Sequence, residues 1–161
     1  VFSAMKARDI LRFNGPHGTF YLREDSEKPM ILLAGGTGFA PIKAIVEHAI
    51  ARKIQRPMFI YWGAKAKVDL YQNALPEQWA AAHAQIKYIP VLSEPSLDDA
   101  WTGRSGFVHQ ATMADFPDLS GYQVYACGSP GMIETVKADF VKHCKLPEEE
   151  FFADAFSYST S

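Results

Sequence analysis

The stretch that decides the fold is Met30-Ile31-Leu32-Leu33-Ala34-Gly35-Gly36-Thr37-Gly38-Phe39-Ala40-Pro41. Its first five residues form a compact apolar run that ends at two glycines, which is typical of a buried strand followed by a tight turn. After the turn, apolar residues recur at helical spacing, at Ile42, Ile45, Val46, Ala49 and Ile50. The sequence therefore predicts a strand, a glycine-rich turn and an amphipathic helix in direct succession.

The alternation of strands and helices continues along the rest of the chain. Further strands are predicted over residues 58–62, 88–92, 122–127 and 151–156, and further helices over 70–82, 107–116 and 133–141. Pro90 limits the third strand to a sheet edge, because proline cannot donate to the ladder. The pattern predicts an α/β fold, with a five-stranded parallel sheet in the order 3-2-1-4-5 and helices on both faces.

In that order the first and fourth strands are neighbours whose connections leave in opposite directions, and α/β sheets bind ligands at such a point. Both strands are followed by glycine-rich turns, at residues 35–41 and 128–132. Glycine lets a phosphate approach the backbone, and a helix start supplies free N–H groups. We therefore expect a ligand between the two turns. A tight strand–helix turn that binds nothing is the alternative.

The first turn has the pattern G-x-G-x-x-P, in which Pro41 suits the first turn of a helix. The third glycine of the common dinucleotide fingerprint is absent. The second strand ends in Tyr61-Trp62-Gly63 and so lacks the expected acidic residue. Both departures disfavour an ordinary Rossmann dehydrogenase.

Composition excludes several other classes. Lysine and arginine total 16 against 18 aspartates and glutamates, a net charge of −2 that argues against a nucleic-acid partner. The apolar region 29–42 is too short, and too broken by glycine, to span a membrane. The histidines show no metal-ligand spacing, so no metal site is predicted. Cys127 and Cys144 lie outside any CxxC motif, which favours a reduced, cytoplasmic setting.

The first 25 residues do not follow the alternation. Residues 9–13 and 19–22 are predicted as antiparallel strands joined by a turn-rich link, and residues 24–28 as a polar linker. We expect residues 1–25 to be the end of another, antiparallel domain and residues 26–161 to form the ligand-binding domain. The chain begins with valine, which favours a fragment of a longer protein.

Seven short motifs occur in order along residues 15–161. They are Gly35-Gly36-Thr37-Gly38 with Pro41, Tyr61-Trp62-Gly63-Ala64-Lys65, Asp69-Leu70-Tyr71, Val91-Leu92-Ser93, Trp101-Thr102-Gly103-Arg104-Ser105-Gly106, Cys127-Gly128 and Asp154-Ala155-Phe156. Together they resemble the C-terminal NAD(P)H-binding domain of the ferredoxin–NADP reductase superfamily. The resemblance is strongest to NADH-dependent flavin reductases, oxygenase reductases and CDP-6-deoxy-hexulose reductases. It implies that residues 1–25 are the last strands of a truncated flavin-binding barrel.

The resemblance implies an NAD(P)H-dependent oxidoreductase in which hydride passes to FAD or FMN. Electrons would then reach an iron–sulfur centre, an oxygenase or a deoxysugar-forming partner. The flavin signature and the four-cysteine pattern of a [2Fe–2S] module are absent from this chain, so both groups would depend on other parts of a parent protein. A free-flavin reductase and a non-catalytic nucleotide-binding module are the alternatives.

The resemblance also assigns roles to individual residues. Cys127 and Phe156 would position the nicotinamide and flavin rings and are the candidate catalytic residues, although Phe156 could simply close the edge strand. The implied cofactor-binding residues are Gly35, Gly36, Thr37, Gly38, Pro41, Gly63, Lys65, Ser93, Glu94, Cys127, Gly128, Ser129, Pro130, Met132 and Phe156. Within this set, the first turn would contact the pyrophosphate, and Gly63, Lys65 and Ser93 would lie near the adenosine half.

NADH is expected to be preferred to NADPH. In relatives that use NADPH, a basic side chain commonly follows the serine after the third strand and pairs with the 2′-phosphate. Here Ser93 is followed by Glu94 and Pro95, and a carboxylate repels a phosphate. Lys65 and Lys67, on the neighbouring loop, could supply the opposite charge.

Overall fold

Strands and helices alternate through the part of the chain that the computed structural model describes, residues 18–156 together with residues 6, 9, 10 and 12. Within that part the elements are β1 (Met30–Gly35), α1 (Phe39–Ala51), β2 (Met58–Ala64), α2 (Ala74–Ala82), β3 (Ile86–Leu92), β4 (Arg104–Ser105), α3 (Val108–Asp115), β5 (Gln123–Gly128), α4 (Pro130–Cys144) and β6 (Phe151–Ala155).

The strands form one parallel sheet in the order β4-β3-β2-β1-β5-β6. The α/β class is confirmed, and the five long strands follow the predicted order. The predicted count of five was wrong, because the two-residue strand β4 pairs with Val91 and Leu92 outside β3. Residues 88–92 are therefore not the outermost strand. Their pairing with β4 stops short of Pro90, which fits a residue that cannot donate a backbone hydrogen bond.

The strand β1 contributes alternate side chains to two separate cores, one on each face of the sheet. On one face Leu32 and Ala34 of β1 pack beneath α1 and α2. On the other face Ile31 and Leu33 pack beneath α3 and α4. All four side chains are fully buried, as expected for a parallel sheet covered on both sides.

The second helix begins later than the sequence predicts. Residues 67–69 form a 3-10 turn, and α2 starts only at Ala74. Pro76 then lies in the first turn of α2, where its missing N–H has no partner to lose. The proline therefore belongs to the helix start and does not interrupt a longer helix.

The N-terminal segment packs on the sheet without joining it. The strand predicted over residues 19–22 is not formed, because no strand of the described chain pairs with it. Of the other predicted strand, residues 11 and 13 lie outside the described residues. Leu22 is buried, and the Arg23 guanidinium lies 3.7 Å from the ring centroid of Tyr21 and 4.4 Å from that of Phe152. These contacts attach residues 21–23 to β6.

A buried arginine holds the same segment at the amino ends of the strands. Arg56, only 4% exposed, donates to the carbonyl oxygens of Lys28 at 2.6 Å and Arg23 at 2.8 Å. It also donates to Oε1 of Gln123 at 2.7 Å, and the Tyr125 hydroxyl donates to the same oxygen at 3.0 Å. Arg56 therefore joins the residues before β1 to the starts of β2 and β5.

Replacing Arg56 tests how much it contributes to the stability of the fold. Arg56→Ala should lower the free energy of unfolding by about 3 kcal/mol, because it removes the guanidinium donors to the Lys28 and Arg23 carbonyl oxygens and one of the two donors to Gln123 Oε1. Urea denaturation of the 161-residue chain measures the change. Arg52→Ala is the matched control, since Arg52 is exposed and its ion pair with Glu24 is solvated, so it should change stability little. Equal effects of the two variants would contradict the structural role of Arg56.

Candidate functional site

A cleft of about 1050 Å³ opens at the carboxyl ends of the strands, between the turns after β1 and β5. It continues past the ends of β2 and β3 to the start of α3. Eight of the residues implied by the sequence line it: Gly35, Gly36, Thr37, Gly63, Lys65, Ser93, Ser129 and Met132. The structure therefore brings both turns and the loops after β2 and β3 into one cavity.

The first turn presents backbone to this cleft. Gly36 has a φ of +52°, a left-handed conformation that disfavours side chains, and the space above its Cα is open. Thr37 is exposed, and a 3-10 turn over Gly36–Gly38 leads directly into α1, with the Phe39 N–H bonded to the carbonyl oxygens of Gly36 and Thr37. No side chain caps the start of this 3-10 turn. An uncapped start beside an open glycine suits an anionic group, because N–H groups there that lack an intrahelical acceptor carry partial positive charge.

An aromatic cluster supports the turn from below. The indole Nε1 of Trp62 donates to the Gly36 carbonyl oxygen at 2.9 Å. The Trp62 ring also stacks on Phe39, with centroids 3.9 Å apart and an interplanar angle of 7°. Tyr71 meets Trp62 edge-on at 5.1 Å. The turn therefore has a fixed shape before any ligand arrives.

The second turn lies against the first, backbone to backbone. A Cβ atom on Gly38 would overlap the carbonyl oxygen of Cys127, so only glycine fits there. The Met132 thioether fills the positions that Cβ atoms of Gly35 and Gly128 would occupy. These three glycines therefore permit a close approach of the two turns.

The start of α4 is capped from within the second turn. The Ser129 Oγ accepts a hydrogen bond from the Met132 N–H at 3.4 Å, and Pro130 follows at the first helical position. Ser129 thus uses its oxygen for the cap while its exposed surface faces the cleft.

Seven of the implied residues do not line the cleft: Gly38, Pro41, Glu94, Cys127, Gly128, Pro130 and Phe156. The Cys127 side chain is fully buried among core residues of the α1 face. Burial, with a smaller contribution from Asp154, raises the pKa of its thiol to about 12. A thiol held in that state is unsuited to nucleophilic attack. The Phe156 N–H donates to the Gly128 carbonyl oxygen at 3.0 Å, which places Phe156 beside the second turn.

Charged side chains flank the far end of the cleft. Lys65 and Glu94 are both exposed, and Lys65 Nζ lies 3.6 Å from Glu94 Oε1. Their loops are joined by backbone hydrogen bonds of 2.9 Å, from Ser93 N–H to the Ala64 oxygen and from Glu94 N–H to the Lys65 oxygen. The positive charge of Lys65 is therefore partly neutralised by its neighbour.

Several cleft residues were missed from the sequence. Phe107, His109 and Gln110 line it from the start of α3, and Val68 and Tyr71 from the loop after β2. Phe107 is 61% exposed, which is unusual for phenylalanine. The Gly106 that precedes it closes one of the seven motifs, and this was the available signal. Which face of α3 meets the cleft depends on packing against α4 and could not be read from the helix itself.

None of the helices in the described ranges combines the length and apolar character needed to cross a bilayer. The same residues contain no group of three or more His, Cys, Asp or Glu side chains able to hold a metal ion.

Comparison with known families gives one match that covers most of the chain. The oxidoreductase NAD-binding domain family matches residues 32–138. That range begins within β1 and ends within α4, so it contains both turns, β2, β3 and the start of α3.

Similar proteins were also found among curated sequences. The chain is 48% identical to the CDP-6-deoxy-L-threo-D-glycero-4-hexulose-3-dehydrase reductase of Yersinia pestis, over 97% of this chain and 46% of that protein. It is also 48% identical to protein RfbI of Salmonella typhimurium, over 100% of this chain and 47% of that protein. An NAD(P)H-flavin reductase of Aliivibrio fischeri is 35% identical over 97% of this chain and 65% of its own length. The chain spans about half the length of the first two.

A solved structure shares the fold. The cytochrome P450 reductase GcoB of Amycolatopsis superimposes with a TM-score of 0.82 at 32% identity, covering 91% of this chain and 44% of that protein. This similarity agrees with the α/β architecture described above.

The contact between the two turns can be tested by adding one methyl group. Gly38→Ala should lower the free energy of unfolding by about 2 kcal/mol, because its Cβ would overlap the rigid Cys127 backbone. Gly131→Ala, where a Cβ meets nothing within 4 Å, should not lower stability and should raise it by up to about 1 kcal/mol, because Gly131 lies in α4 and alanine favours a helix more than glycine does. Thermal or urea denaturation compares the two. A Gly38→Ala variant as stable as the control would mean that the turns can separate freely.

Proposed function

The chain belongs to the oxidoreductase NAD-binding domain family, and on that premise we propose that it is the nucleotide-binding part of a flavin-dependent reductase that takes hydride from NADH. The observation that carries the proposal is the single cleft that joins both glycine-rich turns. Its first turn offers the open Gly36 backbone and the uncapped start of the 3-10 turn that leads into α1, which suit a pyrophosphate. The cleft volume is also in the range of pockets that enclose ligands of this size.

The chemistry in such a reaction belongs to the bound nucleotide, whose nicotinamide supplies the hydride. The residues of this chain bind and orient it, which is catalysis by positioning. Cys127 would act through its backbone at the second turn, since its thiol is buried and protonated. Phe156, hydrogen-bonded to Gly128, would lie beside the nicotinamide end and meet the flavin ring.

The opposite end of the cleft suits the adenosine half. Phe107 exposes most of its ring there and offers a flat surface on which adenine can stack. Gly63 and Ser93 line the same cavity, and Lys65 borders it. A dinucleotide would thus extend from the second turn, across the first turn, to the loops after β2 and β3.

Relatives with known names suggest where the electrons go. Two of them are reductases named for a CDP-hexulose dehydrase, and this chain matches about half of the length of each. We propose that the parent protein of this chain passes electrons from FAD or FMN to a protein acceptor through an iron–sulfur centre. A reductase of free flavin is the second candidate, because four flavin reductases are 33–36% identical to this chain.

Binding at the first turn can be tested at Gly36. Gly36→Val should weaken NADH binding at least tenfold, because a branched side chain would fill the open space over the turn. Fluorescence titration of the 161-residue chain with NADH measures the dissociation constant. Gly121→Val is the control, since Gly121 also has open space around it but lies before β5, at the other end of the sheet. Unchanged affinity in a folded Gly36→Val variant would show that the turn is purely structural.

The preference for NADH rests on the Lys65–Glu94 pair. We expect NADPH to bind several-fold more weakly than NADH, because Glu94 repels the 2′-phosphate and offsets the charge of Lys65. Glu94→Arg should reverse this order by removing a repulsion and adding an attraction. Glu149→Arg, an exposed site next to the start of β6, makes the same charge change away from the cleft and should leave the order unaltered. Tighter binding of NADPH by the unmodified chain would contradict the preference.

A further inference from the structure

Three side chains form a contact series at the start of α3, at one end of the cleft. The exposed ring of Phe107 stacks on the imidazole of His109, with centroids 5.9 Å apart and an interplanar angle of 21°. The His109 Nε2 in turn lies 3.5 Å from Oδ2 of Asp139 on α4. Phe107 and His109 both line the cleft. The series therefore leads from a cleft surface into the packing between two helices.

Phe107 lies at the position just before α3, where an exposed side chain contacts few neighbouring side chains. The side chain of Phe107 is 61% exposed, whereas that of His109 is only 13% exposed. The nearly parallel contact with His109 therefore restricts the rotamers of Phe107. The carboxylate of Asp139 restricts His109 itself, because it attracts an imidazole N–H. A ring that is already ordered binds a flat ligand at a smaller entropic cost.

We propose that His109, held by Asp139, is a positioning residue that orients the Phe107 ring for stacking of the adenine base. This inference rests on the proposed function, because it requires the adenosine half of a dinucleotide at this end of the cleft. His109 touches Phe107 and acts through it. The ligand class is an adenine nucleotide. His109 affects the contacts to the adenine base more than the contacts to the phosphates or the nicotinamide.

The test uses the 161-residue chain with NAD⁺ and ADP-ribose as probes. Saturation-transfer NMR reports how closely the protein contacts the adenine H2 and H8 protons relative to the nicotinamide protons of NAD⁺. His109→Ala should lower this adenine-to-nicotinamide ratio and weaken ADP-ribose binding roughly three- to tenfold, as measured by calorimetry. A general loss of structure would reduce both proton signals together and leave the ratio unchanged.

Two further variants and a control complete the experiment. His109→Phe keeps a ring beneath Phe107 and should restore the ratio, and Asp139→Asn should lower it by a smaller amount. His143→Ala removes an exposed histidine from α4 and should behave like the unmodified chain. An unchanged ratio in a His109→Ala variant that still binds NAD⁺, with normal binding by the unmodified chain, would overturn the positioning role alone. No binding of NAD⁺ or ADP-ribose by the unmodified chain would refute the proposed function, and the positioning role with it.

Discussion

The constraint on which the site depends is the direct backbone contact between the turns after β1 and β5. Gly38 lies so close to the Cys127 carbonyl that no side chain can separate them, and Met132 occupies the space left by Gly35 and Gly128. Because β1 and β5 are adjacent parallel strands, this contact occurs where the chain reverses its direction of winding. The cleft lies where two helix starts meet, with only the Met132 side chain filling the space that the glycines leave.

The opposite end of the sheet is built on a different principle. There Arg56 and Gln123 form a buried polar network that joins the residues before β1 to the starts of β2 and β5. Such a network tolerates little rearrangement, because moving any one of its side chains would leave another without its hydrogen-bond partner. The end of the sheet at the cleft is shaped by glycines, which have no side chains. The opposite end is shaped by buried polar side chains that are hydrogen-bonded to one another. The sheet between them is held by two apolar cores.

The sequence predicted those features that depend on local pattern. Strand runs, helical spacing and glycine turns predicted five strands in their correct order and a ligand between the two turns, and the family resemblance implied eight residues that line the cleft. Features that depend on packing were not predictable. Strand β4 has only two residues and carries no alternation, and residues 19–22 alternate like a strand but find no partner. His109 and Phe107 face the cleft only because of how α3 packs against α4.

The Lys65–Glu94 pair has a consequence for how this protein could diverge. Both side chains are exposed and lie on neighbouring loops that are joined by backbone hydrogen bonds, away from the contact between the turns. Substitutions there alter charge without disturbing the buried cores, so they carry little stability penalty. Under the proposed function, selection can therefore change the nucleotide that a descendant uses through one or two surface mutations. The glycines of the turns have no such freedom. The charge of the Lys65–Glu94 pair and the shape of the turns can therefore evolve at different rates.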